Sequence, residues 1–206
     1  MSTVFSRLRT SLAVLCLVAS GLSAQGRTQT AVFAGGCFWG VDAVFKHVRG
    51  VERVVSGYSG GRGGAATAHY NLVSTDTTGH AESVEVTFNP AQVSYGELLR
   101  VFFAVAHDPT QLDRQGPDRG TQYRSVVFYA SEEQRQATVR YIEQLTRDHA
   151  FAAPIVTQVV PLERFYPAEE YHQDYLARHR DQPYIVFNDL PKLQRLAQRL
   201  PVLYRP

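Results

Sequence analysis

The chain has 206 residues, of which 44% are hydrophobic and 19% are charged, which fits one globular domain around a single core. Its 21 lysines and arginines and 19 aspartates and glutamates are scattered along the chain and give a formal net charge of +2. Because no basic stripe is present, we exclude a nucleic-acid-binding protein and expect no nucleic acid partner.

Residues 1–24 have the layout of a secretory signal peptide. Arg7 and Arg9 precede the apolar run SLAVLCLVASGL, and the small residues Ser23 and Ala24 follow it. The run is shorter than the roughly 20 residues of a membrane-spanning helix, which favours a cleaved signal over a retained anchor. We therefore expect cleavage near Ala24, export to the periplasm without stable membrane insertion, and a single catalytic domain over 25–206.

Removal of the signal leaves one cysteine in the mature chain. The sequence contains Cys16 and Cys37, and Cys16 lies within the predicted signal. Cys37 then has no partner for an internal disulfide bond. The seven histidines lack the short paired spacing of a structural zinc site, so we expect no metal.

The rest of the chain alternates short strands and helices. Apolar alternation, or apolar runs bounded by glycine and proline, predict strands in TQTAVFAGG (28–36), VERVVSGYSGG (51–61), ESVEVTFNP (82–90), YRSVVFYA (123–130) and IVTQVV (155–160). Apolar residues at helical spacing predict helices in FWGVDAVFKHV (38–48), SYGELLRVFFAVAH (94–107), 131–149 and YPAEEYHQDYLARH (166–179, starting near Pro167). A last helix follows an extended segment that begins at 181.

Two further local signals complete this prediction. Ser94 and Glu97 have the spacing of a capping box, which marks a helix start. The stretch HDPTQLDRQGPDRG (107–120) is rich in proline, glycine and aspartate, and is predicted as a long loop. Strands separated by helices predict an α+β fold, a two-layer sandwich of helices on a mixed or antiparallel sheet.

Cys37 stands in GGCFWG (35–40), where a predicted strand passes into a predicted helix. The dipole and free N–H groups of a first helical turn favour a thiolate, and can lower a thiol pKa from about 8.5 to between about 3.5 and 7.5. The preceding glycines would let a substrate approach the sulfur, and Phe38 and Trp39 would form an apolar cage for a small group such as a methyl. From these residues alone, Cys37 is either a nucleophile or a small buried core residue.

Five segments stand in one order over about residues 30–190: GGCFWG, GYSGG, HYNLVSTDTTGHAESVEV, HDPTQLDRQGPDRGTQYRSVVFY and FYPAEEYHQDYL. Together they resemble the peptide methionine sulfoxide reductase family, A type. The resemblance implies a ferredoxin-like fold and no prosthetic cofactor. It also implies an enzyme that reduces the S epimer of methionine sulfoxide, in proteins, in peptides and in free form, to methionine.

The resemblance also implies a role for eight residues. Cys37 attacks the sulfoxide sulfur, and Glu82 is protonated and gives its proton to the sulfoxide oxygen, which requires a raised carboxyl pKa. The other matched positions are Tyr70 and Tyr123, which hydrogen-bond that oxygen, Asp118, which orders the same site, and Phe38, Trp39 and Tyr175, which line the substrate pocket.

The chain departs from many relatives because it lacks a second cysteine to react with the Cys37 sulfenic acid. Ser74 stands where some relatives have a cysteine, and no cysteine follows Tyr175. A sulfenic acid must be reduced by a thiol before the next turnover. We therefore expect an external thioredoxin-like dithiol, or a small thiol, to reduce it directly, and the enzyme to act as a monomer on oxidised proteins and peptides.

Two functions from other classes remain as alternatives. A cysteine hydrolase would use Cys37 with one of the histidines as its base. A non-catalytic module of the cell envelope would bind oxidised methionine or peptides without changing them.

Overall fold

The computed structural model describes residues 28–206, and the predicted signal peptide lies outside the described residues. The strands are β1 (Gln29–Gly35), β2 (Val51–Ser59), β3 (Ala81–Phe88), β4 (Arg114–Gln115), β5 (Asp118–Arg119), β6 (Ser125–Tyr129), β7 (Gln158–Pro161) and β8 (Phe165–Pro167). The α-helices are α1 (Phe38–Lys46), α2 (Tyr70–Val73), α3 (Tyr95–Val101), α4 (Glu132–Arg147), α5 (Tyr175–Arg178) and α6 (Leu190–Arg199). No helix in this part of the chain is long and apolar enough to cross a membrane.

Six strands form one mixed sheet in the order β7-β6-β1-β3-β2-β8. All neighbouring strands are antiparallel except β6 and β7, which are parallel. The four central strands, with α1 between β1 and β2 and α3 between β3 and β6, have the βαββαβ connectivity of a ferredoxin-like fold. The predicted α+β class with a mixed sheet is confirmed.

The alternation of β1 explains which face of the sheet carries the main core. Ala31 and Phe33 point into the large apolar cluster beneath α1, α3 and α6, whereas Val32 and Ala34 belong to a smaller cluster on the opposite face. Phe33 stacks on Phe45 of α1, with ring centroids 5.1 Å apart. Helix α1 is therefore held on the same face as the odd-numbered residues of β1.

The predicted start of α3 is confirmed at atomic level. Ser94 Oγ accepts a hydrogen bond from the Glu97 backbone N–H at 3.2 Å, and Glu97 Oε2 accepts one from the Ser94 backbone N–H at 2.8 Å. The helix continues as a π-helical segment, Phe102–Ala106, and residues 107–120 form the predicted loop, in which β4 and β5 make a short hairpin.

The helix predicted from Pro167 is wrong. The chain there forms β8, a single 3-10 turn at Glu170–His172 and the four-residue α5. Asp174 has a φ of +53°, which no helix interior accommodates. The Gln173 side chain hydrogen-bonds the backbone N–H and C=O of Ser56 and the C=O of Ala168, at 2.9 to 3.0 Å. These contacts with β2 override the helical periodicity.

The extended segment predicted before the last helix is also wrong. Residues Ile185–Asp189 form a π-helical turn that leads directly into α6. Ile185 and Asp189 are fully buried, whereas Val186 is 39% and Phe187 is 75% exposed. Only residues four apart face the core, so the apolar run in this segment lies on a helical surface rather than in a strand.

Candidate active site

Cys37 lies at the junction between β1 and α1, where the chain turns sharply. Gly36 has a φ of +87°, in the left-handed region that favours glycine, and Cys37 itself is the N-cap residue of α1. Cys37 belongs to the main core cluster, but carboxyl and hydroxyl groups of other elements also lie near its side chain. Cys37 is 7% exposed, so the residue is almost fully buried.

Glu82 projects from β3 toward this junction. It stands two and four residues before Val84 and Val86, so its side chain lies with theirs on the sheet face that α1 covers. The backbone N–H of Phe38 donates a hydrogen bond to Glu82 Oε2 at 3.0 Å, so the carboxyl group lies against the N-terminus of α1. Burial raises the pKa of Glu82 to about 8, and the nearby carboxyl groups of Asp118 and Asp189 act in the same direction. The carboxyl group is therefore largely protonated at neutral pH.

The expectation that the helix N-terminus lowers the pKa of Cys37 is wrong for the free protein. Burial raises the pKa of the thiol well above its ordinary value, and Glu82 and Asp189, when they are ionised, raise it further. The hydrogen bond from the backbone at Trp39 and the positive charge of Lys192 act in the opposite direction, but they do not compensate. Desolvation and neighbouring carboxyl groups outweigh the dipole, so the resting cysteine is a thiol.

Two predicted tyrosines and one predicted acid lie around the same two groups. Tyr70 begins α2, Tyr123 ends a 3-10 turn after β5, and Asp118 belongs to β5. Burial raises the pKa of each tyrosine, and Glu82 and Cys37, when they are ionised, raise it further. Both hydroxyl groups therefore stay protonated and able to donate hydrogen bonds.

The backbone of Tyr70 is fixed by a carboxylate that the sequence did not single out. Glu169 accepts hydrogen bonds from the Tyr70 backbone N–H and from the Tyr58 hydroxyl group, each at 2.9 Å. Tyr58 pairs with Glu82 across β2 and β3. Glu169 thus ties α2 to the sheet beside the buried carboxyl group.

Trp39 forms an aromatic wall next to Cys37. Its indole N–H donates a hydrogen bond to His172 Nδ1 at 3.2 Å, and its ring stacks on Tyr175 at 3.7 Å. Tyr184 approaches the indole edge-on, with ring centroids 5.9 Å apart. The neighbouring Phe38 is only 1% exposed, so Trp39 rather than Phe38 presents the wider aromatic surface.

Tyr184 and His172 are site residues that the sequence prediction missed. The Tyr184 hydroxyl group donates a hydrogen bond to Asp118 Oδ2 at 2.5 Å, and the His172 ring lies 4.6 Å from the ring of Tyr70. Tyr184 fell within the segment predicted as extended, and nothing in the local pattern placed it near Asp118. His172 lies in the segment FYPAEEYHQDYL, three residues before Tyr175, and this closeness to a predicted site residue was the signal that could have identified it.

The geometry does not favour a cysteine hydrolase. His172 accepts from Trp39, and burial lowers the pKa of this histidine. His107 lies behind the junction, where its ring nitrogens bond the Ser125 hydroxyl and the Phe102 carbonyl. A hydrolase would need a histidine paired with the thiol, and both of these rings have other partners. In residues 28–206, no group of three or more His, Cys, Asp or Glu side chains is arranged to hold a metal ion.

Comparison with known proteins agrees with this arrangement. The family model described as peptide methionine sulfoxide reductase matches residues 29–201. "Peptide methionine sulfoxide reductase MsrA 2" from Mesorhizobium japonicum is 55% identical over 177 residues, which cover 86% of this chain and 90% of the relative. The protein of the same description from Synechocystis is 54% identical over 172 residues, which cover 84% of this chain and 79% of the relative.

Solved structures show the same likeness. Methionine sulfoxide reductase A of Corynebacterium diphtheriae has a TM-score of 0.66 and 34% identity, and the match covers 76% of this chain and 77% of that one. Reduced Mxr1 from Saccharomyces cerevisiae has a TM-score of 0.68 and 31% identity, and the match covers 76% of this chain and 88% of that one. The chain belongs to the peptide methionine sulfoxide reductase family, A type, and is an enzyme that reduces methionine sulfoxide.

Proposed function

We propose that Cys37 attacks the sulfur of methionine sulfoxide, as the S epimer, while Glu82 gives a proton to the sulfoxide oxygen. The observation that carries this assignment is the position of the Glu82 carboxyl group, buried at the N-terminus of α1 beside the only cysteine of residues 28–206, where burial raises its pKa to about 8. A protonated acid makes the sulfoxide sulfur more electrophilic as the oxygen takes up the proton. Tyr70 and Tyr123 donate hydrogen bonds to the same oxygen, and Trp39 packs against the substrate methyl group.

The protons and electrons balance without a cofactor. The Cys37 thiol loses its proton as it attacks, and this proton restores the Glu82 carboxyl group after Glu82 has protonated the oxygen. The attack forms a bond between the Cys37 sulfur and the substrate sulfur. This bond and the sulfur–oxygen bond of the substrate then break as the oxygen becomes bonded to the Cys37 sulfur. The methionine sulfur is reduced by two electrons, the cysteine sulfur is oxidised by two electrons, and the products are methionine and a Cys37 sulfenic acid.

An external thiol completes the cycle in this proposal. A thioredoxin-like dithiol, or a small thiol, attacks the sulfenic sulfur, water leaves, and the resulting disulfide is resolved by the second thiol. Ser74, at the exposed end of α2, cannot take the place of a resolving cysteine because a hydroxyl group does not exchange with disulfides. The reductant therefore has to reach Cys37 itself.

The proposed site of action is outside the cytoplasm, after cleavage of the signal peptide near Ala24. The charged residues Arg7 and Arg9 before the apolar run support this proposal. In that compartment the enzyme acts as a monomer on oxidised proteins, and a thioredoxin-like reductant has to be present there. Localisation of an epitope-tagged chain, with N-terminal sequencing of the exported product, tests this part directly.

Mass spectrometry after a single turnover tests the reaction. The purified protein receives one equivalent of a methionine sulfoxide peptide and no reductant. We expect one added oxygen on the peptide that contains Cys37, together with one equivalent of methionine product, and neither in Cys37→Ser. Unchanged substrate in the presence of excess dithiothreitol would support a binding module instead, and an acyl group trapped on Cys37 would support a hydrolase.

A further inference from the structure

A buried ion pair lies behind the active-site helix, and the mechanism above does not use it. Lys192 Nζ lies 3.0 Å from Asp189 Oδ1, and Asp189 is 0% and Lys192 is 8% exposed. Charged side chains are rarely buried to this extent, because they lose their hydration. The second oxygen, Asp189 Oδ2, is buried without a hydrogen-bond partner among the described residues. Burial of these two charges costs desolvation free energy, and apolar side chains could fill the same space without that cost.

The ion pair lies against the first turn of α1. A methyl group on Gly40 would come within 2.6 Å of Lys192 Nζ and still closer to Asp189 Oδ1, so only glycine fits there. Gly40 is three residues from Cys37 and belongs to the same helical turn. The two charged groups therefore lie next to the helical turn that begins at Cys37.

Three charged groups act on the Cys37 thiol, two acids and one cation. Ionised Glu82 and Asp189 raise the pKa of Cys37, and Lys192 lowers it. Lys192 also lowers the pKa of Asp118. The remaining titratable groups around Cys37 and the ion pair are Tyr70, Tyr123, Tyr184 and His107. Lys192 is therefore positioned to offset the negative charge that appears when the thiol ionises.

We propose that Asp189 and Lys192 are positioning residues that control ionisation of Cys37 through the first turn of α1. Lys192 supplies the positive charge that the thiolate needs, and Asp189 holds the ammonium group against Gly40 and restrains it while the cysteine is a thiol. When the thiolate forms, it shares the ammonium with Asp189. This inference rests on the proposed role of Cys37 as the nucleophile.

The test measures ionisation of Cys37 without any sulfoxide. The full chain is treated with iodoacetamide from pH 6 to 10, and mass spectrometry follows alkylation of the Cys37 peptide. In Asp189→Asn the ammonium loses its carboxylate partner and is free to act on the thiol. We expect alkylation at pH 7 to become about tenfold faster, which corresponds to a thiol pKa lower by about one unit.

A second variant isolates the lysine. Asp189→Asn/Lys192→Met differs from Asp189→Asn only by the cation, and leaves no buried charge unpaired. We expect the second substitution to abolish the gain in alkylation rate. Thermal unfolding of each variant verifies that both are folded at the assay temperature.

Asp42→Asn is the matched control. Asp42 is a buried carboxylate on α1 that pairs with Lys46 at 2.8 Å, but it is not among the charges that act on Cys37. Its replacement should leave the alkylation profile unchanged. If both Asp189 variants alkylate at the wild-type rate, or shift in the same direction by the same factor, the proposal is wrong. If the wild-type chain forms no Cys37 sulfenic acid with methionine sulfoxide while the alkylation pattern is as expected, the proposed function fails and the ion-pair proposal stands.

Discussion

The β1–α1 junction and the C-terminal segment 165–199 both build the active site, but they do so in different ways. The junction is local, since Gly36, Cys37 and the start of α1 follow one another in the chain. The C-terminal segment supplies Tyr184, which bonds Asp118, and the Asp189–Lys192 pair, which lies against Gly40, so it reaches the site through contacts with elements distant in the sequence. The reacting groups thus come from elements with clear local signals, whereas their support comes from a segment shaped by tertiary contacts.

Replacement of the cysteine at the junction has the largest expected effect. Cys37→Ser removes the sulfur that takes up the oxygen, so turnover should fall by a factor on the order of 10⁴ or more. The change is nearly isosteric, and stability should change little. Reduction of a methionine sulfoxide peptide with excess dithiothreitol, followed by chromatography, measures the loss. Activity within tenfold of wild type would remove Cys37 from the mechanism.

Replacement of the buried acid comes next. Glu82→Gln keeps the shape but cannot supply a proton, so kcat should fall by about 10²- to 10⁴-fold. In the wild type, activity should decline as pH rises through about 8, because Glu82 must be protonated to act. The variant should lack this decline at alkaline pH. If the activity of Glu82→Gln declines at alkaline pH as the wild type does, another group, such as the Cys37 thiol or its reductant, causes the decline.

The same substitution affects how stability depends on pH. The folded pKa of Glu82, about 8, lies above its ordinary value, so the folded state binds more protons than the unfolded chain between roughly pH 4.5 and 8. The contribution of this group to stability is full below that window and is lost as pH rises through about 8. Urea unfolding at pH 5, 7 and 9 should show a smaller fall in Glu82→Gln than in the wild type. Equal falls would indicate an ionised carboxylate at neutral pH.

Removal of one hydroxyl group in the C-terminal segment should have an intermediate effect. Tyr184→Phe leaves Asp118 without its hydrogen bond of 2.5 Å, and the rate should fall by about 10- to 100-fold, as expected for a bond to a charged group. Tyr175→Phe is the matched control, because its hydroxyl group bonds Gln182 and its ring would still stack on Trp39. Steady-state kinetics of both variants should separate them. Similar losses in both would show that Asp118 does not depend on Tyr184.

The smallest expected effect on chemistry comes from the contact that bends the C-terminal segment. Gln173→Ala removes three hydrogen bonds to Ser56 and Ala168, and should lower the free energy of unfolding by about 1 to 3 kcal/mol with little change in kcat. Gln136→Ala, on the exposed surface of α4, should change it by less than about 0.5 kcal/mol. Urea denaturation measures both. If the two substitutions destabilise equally, the Gln173 contacts do not hold the segment.

Prediction from the sequence succeeded where a feature depends on neighbouring residues, and failed in the C-terminal segment, where tertiary contacts decide the structure. The alternation of β3 places Glu82 on the same face as Val84, and the capping box at Ser94 fixes the start of α3, because both signals depend only on near neighbours. Helical spacing after Pro167 gave a wrong prediction, since the bonds of Gln173 to β2 compete with helix formation and no local pattern records them.

The sequence by itself determined the succession of the central strands and of α1, α3 and α4 along the chain, the position of Cys37 at the junction, and the absence of a second cysteine in residues 28–206. Only the tertiary structure decided the protonation of the site and the identity of its supporting residues. Burial, which depends on the whole packed chain, raises the pKa of Glu82 and keeps Cys37 a thiol against the effect of the helix N-terminus. Desolvation and charges brought together from distant positions leave no local pattern in a sequence, and for that reason Tyr184, Asp189 and Lys192 became visible only in the folded protein.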